Sequence, residues 1–168
     1  KRYKIPRDQV VKNTNFKLLF IRLDIIPPSL GIAQAAIESG WGTSRFAQEG
    51  NALYGQWTWG RDEAEGIVPT GREEGETHSI RVFRTPMESV LGYVRNLNTH
   101  LAYKDLRELR AYARKNNYSP SGIELAETLT SYSTRGEDYT TDLQNIIDSN
   151  NFLILDDAKL SEQMSFAP

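Results

Sequence analysis

One carboxylate stands alone in the stretch GIAQAAIESGWGTSRF, residues 31–46. Alanine and glutamine favour a helix and glycine ends one, so Glu38 falls in a last helical turn. The helix dipole is negative there, and a cation is the preferred residue. Helix stability therefore does not account for Glu38. Gly31, Ala35, Glu38 and Gly42 share one helical stripe of small side chains, which would let a bulky ligand approach the backbone. With Trp41 and the aromatics of residues 54–59 around it, the carboxyl would be partly desolvated. Desolvation and the helix C-terminus both raise a carboxyl pKa. A carboxylic acid kept protonated near neutral pH is the group that can protonate the leaving oxygen of a glycosidic bond. Spacing alone leaves a second reading open, an exposed glutamate at a helix end.

The elements that must position this acid can be read from patterning. PRDQVVKNTNFKLLFIRL places Val10, Val11, Phe16, Leu19, Phe20 and Leu23 on roughly one helical face. After a break over residues 24–28, Pro28 or Ser29 opens the helix that carries Glu38, since proline is tolerated in a first turn. Leu30, Ala33 and Ile37 form its buried stripe. TSRFAQEG and the aromatic, turn-rich NALYGQWTWG follow. GIVPTGREEGETHSIRVFR reads as a small β-hairpin: Ile67 and Val68 start it, GREEG turns it, and residues 79–84 return. Thr85, Pro86 and Glu88 form a helix start, with Met87, Val90, Leu91, Val94 and Leu97 as the apolar stripe. KDLRELRAYARKN reads as a charged surface helix. Ser119-Pro120 opens a further helix with Ile123, Ala126 and Leu129 inside, and GEDYTTDLQNIIDSN closes the set with Leu143, Ile146 and Ile147. DDAKLSEQMSFAP has little pattern and reads as extended or loosely docked. The expectation is an α+β, mostly α fold with a small β-hairpin lobe.

Composition narrows the function. The chain has 168 residues, enough for one domain with a real core, and a formal net charge of −2, which gives no reason to expect nucleic acid or an anionic membrane. It has no cysteine, which excludes disulfides, thiol catalysis and cysteine-ligated metals. His78 and His100 do not stand at a ligand spacing, so no metal and no cofactor is expected. FKLLFIRLDII is too short and too charged to span a membrane. The chain opens at KRYKIPRDQ without a secretory signal, which suits a processed chain as well as a cytosolic protein.

LDIIPPSLGIAQAAIESGWGTSRFAQEGNALYGQW, IRVFRTPMESVLGYVRNLNTH and TLTSYSTRGEDYTTDLQNII together resemble the lysozyme-like glucosaminidase domain of glycoside hydrolase family 73, in its Bax-type branch. The resemblance implies a lysozyme-like domain over residues 1–155 followed by a C-terminal tail, 156–168. It implies a bacterial cell-wall hydrolase of the periplasm or envelope, probing glycan strands of peptidoglycan as a monomer. It implies that the bond cut lies between N-acetylglucosamine and N-acetylmuramic acid, with Glu38 as general acid. It also implies a second acidic residue from the hairpin lobe, where Glu73, Glu74 and Glu76 are the candidates and Glu74, beside the turn glycine, is preferred. A glutamate run at a hairpin tip is otherwise a solvated turn. Tyr132 matches a tyrosine that the family places in the cleft near the acid, while Tyr139 reads as helix core.

Asn51, Tyr54, Gln56 and Trp57 follow the Glu38 helix and are candidate sugar-binding residues. Amide side chains can bond acetamido groups and aromatic faces can stack on sugar rings. Cleft-wall packing is the plainer reading of one or two of them. Trp41 reads as a core anchor of the Glu38 helix, and Arg45 as the partner of an acidic neighbour. Two other functions fit the same residues: a muramidase or lytic transglycosylase on the same scaffold, or a non-catalytic glycan-binding module.

Overall fold

The structure is a computed structural model and describes residues 3–5, 16–58 and 66–159. Its helices are α1 (Phe16–Arg22), α2 (Pro28–Ser39), α3 (Arg45–Gly50), α4 (Pro86–Thr99), α5 (Lys104–Lys115), α6 (Gly122–Ala126) and α7 (Glu137–Ser149). Short 3-10 turns cover Leu101–Tyr103, Glu127–Leu129 and Phe152–Leu155. Strands β1 (Trp57–Thr58), β2 (Gly66–Ile67) and β3 (Ser79–Arg81) make one antiparallel sheet with β3 in the centre. The register pairs Trp57 with Ile80 and Thr58 with Ser79 on one side, and Gly66 with Arg81 on the other. The fold is thus α+β and mostly α, with a small β-lobe between helices. The hairpin is present as β2 and β3, shorter than its sequence suggests, and β1 joins it as a third strand from the aromatic stretch.

Helix α2 is the central element. Its Leu30 and Ala33 are fully buried in a core with Leu97, Leu106, Leu125, Leu129, Leu143 and Ile147. It packs against α6, α7 and the turn at Phe152–Leu155. At its N-terminus the Asp156 carboxylate accepts hydrogen bonds from the backbone N–H of Ser29 (2.8 Å), the Ser29 hydroxyl (2.7 Å) and the N–H of Gly122 (3.0 Å). One side chain thereby satisfies first-turn donors of both α2 and α6. The folded body therefore includes Asp156, although residues 156–168 read as a tail in the sequence. The two helix starts meet so closely that a Cβ on Gly122 would stand 2.0 Å from the Ser29 hydroxyl oxygen.

Helix α4 starts as its sequence indicates, with Thr85 accepting from the Glu88 N–H and Pro86 in the first turn. The Glu88 carboxylate turns to Arg84 instead of closing a capping box on Thr85. The inner face of α4 is Ser89, Tyr93 and Leu97, so Met87 and Leu91 are exposed rather than part of the apolar stripe. Phe20 in α1 and Leu23 just after it are likewise exposed. Val10 and Val11 lie outside the described residues, as does the side chain of Phe16.

Helix α5 is not simply a charged surface helix. Arg107 and Arg110 are buried. Arg110 donates to the carbonyls of Ile21 and Ile25 and to Asn98, and lies 3.3 Å from Asp24. Burial pushes its guanidinium down to about 10, with Asp24 opposing, so it stays a cation at neutral pH. Helix α6 is capped by Ser121, which forms a capping box with Glu124, two residues later than the Ser119-Pro120 signal. Ser119 instead accepts from Arg114.

Candidate active site

Helix α2 ends at Gly40, in left-handed backbone with φ 57°, and its N–H caps the carbonyls of Ala36 and Ile37. Trp41 and Gly42 continue at positive φ. The Trp41 N–H bonds the Ala36 carbonyl (2.7 Å), and the Gly42 N–H bonds the Ser39 hydroxyl (2.8 Å). This turn holds the last helical turn rigid and leaves the Glu38 side chain facing a cleft of about 460 Å³. The cleft is walled by Tyr54 and Gln56 ahead of the sheet, by Trp57 on β1, by Arg95 and Asn96 on α4, and by Tyr132. Arg81 and His100 also border it. Among the described residues that line it, Glu38 is the sole carboxylate.

Tyrosines surround the acid. Tyr54 stacks on Tyr93 with ring centroids 3.9 Å apart, and Tyr132 stacks on Tyr139 at 5.5 Å. The Tyr139 hydroxyl donates to Glu38 Oε1 at 2.8 Å. Burial among these rings raises the Glu38 pKa above the usual carboxylate range, and the Tyr139 hydrogen bond opposes the rise in part. The same burial pushes Tyr54 up to about 12 and Tyr132 and Tyr139 well above the ordinary tyrosine range. These phenols stay neutral and act as hydrogen-bonding groups. The arrangement can hold a proton on a half-buried carboxyl at the edge of a polar, aromatic-walled cleft, which is general-acid chemistry.

The structure brings Glu38, Tyr54, Gln56, Trp57 and Tyr132 to this cleft. The Tyr132 hydroxyl donates to the Tyr54 carbonyl at 3.3 Å. Trp57 is half exposed, with its ring against His78. Asn51 is not among the lining residues. It closes α3 in left-handed backbone, and its amide donates to the Phe83 carbonyl, which ties α3 to the end of the sheet. Glu73, Glu74 and Glu76 lie exposed on the β2–β3 turn and do not line the cleft; Glu76 pairs with His78. Arg45 donates to the Val68 carbonyl rather than to an acid.

Two further readings of the sequence are corrected here. Trp41 does not anchor the core: it is 60% exposed, because left-handed backbone after Gly40 turns it off the helix. The small stripe on α2 does not admit a ligand at Gly31, where a Cβ would meet Tyr93 and Tyr54 at 3.8 and 3.9 Å. The stripe accommodates the tyrosine stack. Tyr139 is buried as expected of a core residue, yet its hydroxyl contacts Glu38 directly.

Sequence reasoning did not single out Gln34, Tyr93, Arg81, Arg95 or His100. Gln34 carried a signal, since it lies four residues before Glu38 and so on the same helical face. Among the described residues, no group of three or more His, Cys, Asp or Glu could hold a metal ion. Among them, too, no helix is long and apolar enough to cross a membrane.

Comparison with known proteins places the chain in a family. The glucosaminidase family, described as mannosyl-glycoprotein endo-beta-N-acetylglucosaminidase, matches residues 15–152. The chain is 36% identical over 157 residues to "Protein bax" of Escherichia coli (strain K12), a match covering 92% of this chain and 54% of that protein. The chain therefore spans about half the length of that curated relative. No solved structure matches it.

Proposed function

The chain belongs to the glucosaminidase family, and from that premise we propose that it is a peptidoglycan hydrolase, an endo-β-N-acetylglucosaminidase with Glu38 as its general acid. The observation that carries this reading is the half-buried Glu38 carboxyl, its pKa raised by burial, open to a cleft walled by aromatic and amide side chains. Glu38 would give its proton to the glycosidic oxygen as the bond to N-acetylglucosamine breaks. In this reading the 2-acetamido oxygen of the substrate is the nucleophile at the anomeric carbon, a route that needs no second carboxylate. Water then opens the cyclic intermediate and returns a proton to Glu38. Tyr132 would orient the acetamido group, and Gln56 and Trp57 would hold neighbouring sugars by hydrogen bonding and stacking.

Arg81 and Arg95 line the same cleft. These two cations favour glycan carrying carboxylates, as the peptide stems of peptidoglycan do. Such a substrate puts the site of action in the periplasm or envelope.

Mass spectrometry of fragments released from purified sacculi tests the reading. A glucosaminidase leaves glucosamine reducing ends. Muramic ends would identify a muramidase, and anhydro-muramic ends a lytic transglycosylase, which also works with a single glutamate. No release would leave a glycan-binding module.

A further inference from the structure

Gln34 is fully buried on α2, with Tyr93 and Tyr139 buried on either side of it. The Tyr93 hydroxyl donates to Gln34 Oε1 at 2.6 Å. Gln34 Nε2 donates to the Tyr139 hydroxyl at 3.0 Å. Tyr139 donates in turn to Glu38 Oε1 at 2.8 Å. From this geometry we infer that Tyr93, Gln34 and Tyr139 form a one-way donor chain that reserves Glu38 Oε1 as an acceptor and confines the acid's proton to Oε2. The inference rests on the proposal that Glu38 is the general acid.

The direction follows from the chemistry of each link. An amide nitrogen only donates, so the Tyr139 oxygen must accept from Gln34 and direct its own hydrogen to Glu38. A flipped Gln34 amide would present its NH2 to Tyr93 and its oxygen to Tyr139. Tyr139 would then donate to Gln34, and a protonated Glu38 would donate inward from Oε1. That polarity strands the Tyr93 hydrogen, for which Gln34 Oε1 is the acceptor seen among the described residues. A buried unpaired donor is costly, so Tyr93 locks the chain. Stacking on Tyr54 fixes the Tyr93 ring.

Oε2 is the oxygen toward the cleft. A Cβ on Gly55 would stand 3.4 Å from it, and Gly55, at φ 56°, lines the cleft. The phenols Tyr103 and Tyr132 also act on the carboxyl, and Arg81, Arg95 and His100 line the same cleft. None of the latter three is hydrogen-bonded to Oε1. Tyr139, Gln34 and Tyr93 are thus positioning residues: they keep the acid aimed and deliver its proton on the face the substrate reaches.

The test reads Glu38 itself. An infrared difference spectrum, wild type minus Glu38→Gln at a pH where the acid is protonated, isolates its C=O stretch. The chain makes Oε1 the hydrogen-bonded carbonyl oxygen. Tyr139→Phe should therefore move the band to higher frequency, and Tyr93→Phe, which unlocks Gln34, should give part of that shift or two bands. Tyr139→Phe should also lower kcat by roughly 10- to 100-fold, the worth of one hydrogen bond to a charged group, and leave KM unchanged. An unmoved band in Tyr139→Phe, or in Tyr93→Phe if the first variant does not fold, overturns the inference. Activity separates it from its premise. A shifted band beside an active Glu38→Gln ends the general-acid reading and leaves the donor chain. An unmoved band beside an inactive Glu38→Gln does the reverse.

Discussion

Asp156→Ala should destabilise the fold by about 2–4 kcal/mol, from a position far from Glu38 in sequence. The Asp156 carboxylate accepts from the Ser29 N–H, the Ser29 hydroxyl and the Gly122 N–H. Hydrogen bonds to a charged group contribute about 1.5–3 kcal/mol each in net terms, and bonds sharing one acceptor do not add in full. Ser29 is fully buried, so its N–H is left without a partner when the carboxylate is removed. Asp156 itself is partly exposed, so water can replace some of what is lost; this keeps the figure below a simple sum. For a chain of this length, the loss corresponds to a fall in Tm of roughly 5–15 °C. Asp156→Asn is the sharper probe. It preserves shape and one acceptor oxygen but turns an NH2 toward donors, so it should recover little of the loss. Urea unfolding followed by circular dichroism measures both variants. A loss below about 1 kcal/mol in Asp156→Ala would refute the claim that this side chain joins α2 to α6.

Tyr132→Phe removes a hydroxyl and keeps the ring stacked on Tyr139; turnover on sacculi should fall roughly 10- to 1000-fold, as for one positioned polar group. Glu73→Gln, Glu74→Gln and Glu76→Gln, compared in one assay, should each stay close to wild-type turnover, because none lines the cleft. A large loss confined to Glu74→Gln, partly rescued by azide, would restore that residue as the group activating water. Stability should respond to pH through Glu38, whose folded pKa is raised by burial. Between the unfolded and the raised folded value the native state binds more protons, so this residue makes stability fall as pH rises. Below the unfolded value the penalty is absent. Glu38→Gln should remove the fall, so that the variant gains stability over wild type at neutral and higher pH in paired thermal melts.

The parts legible in the sequence were those set by local chemistry. Thr85-Pro86 and Gly40 mark helix ends because caps and left-handed backbone demand particular residues. Glu38 stood out because its position defies the helix dipole. The contacts that build the site are long in sequence and carry no local mark. Gln34 meets Tyr139 across 105 residues, and Ser29 meets Asp156 across 127. Arg110 was misread for a different reason. It shares a helical face with Leu106 and Ala113, both fully buried, and an arginine on an apolar face is as compatible with a buried, carbonyl-satisfied cation as with a surface charge. Trp41 shows the limit of reasoning from residue type. A large aromatic beside the helix that carries Glu38 suggests an anchor, but the left-handed turn that stops the helix carries it outward. The hairpin glutamates were drawn to the site by analogy, and the exposed β2–β3 turn holds them away from the cleft lining.

The central claim is that Glu38 protonates the leaving glycosidic oxygen. Glu38→Gln keeps size and shape and cannot act as that acid. Turnover of purified sacculi by this variant, measured beside its thermal melt, tests the claim most directly. The account predicts a fall of at least about 100-fold in a protein that melts no lower than wild type. A folded variant that still clears sacculi at the wild-type rate would contradict it.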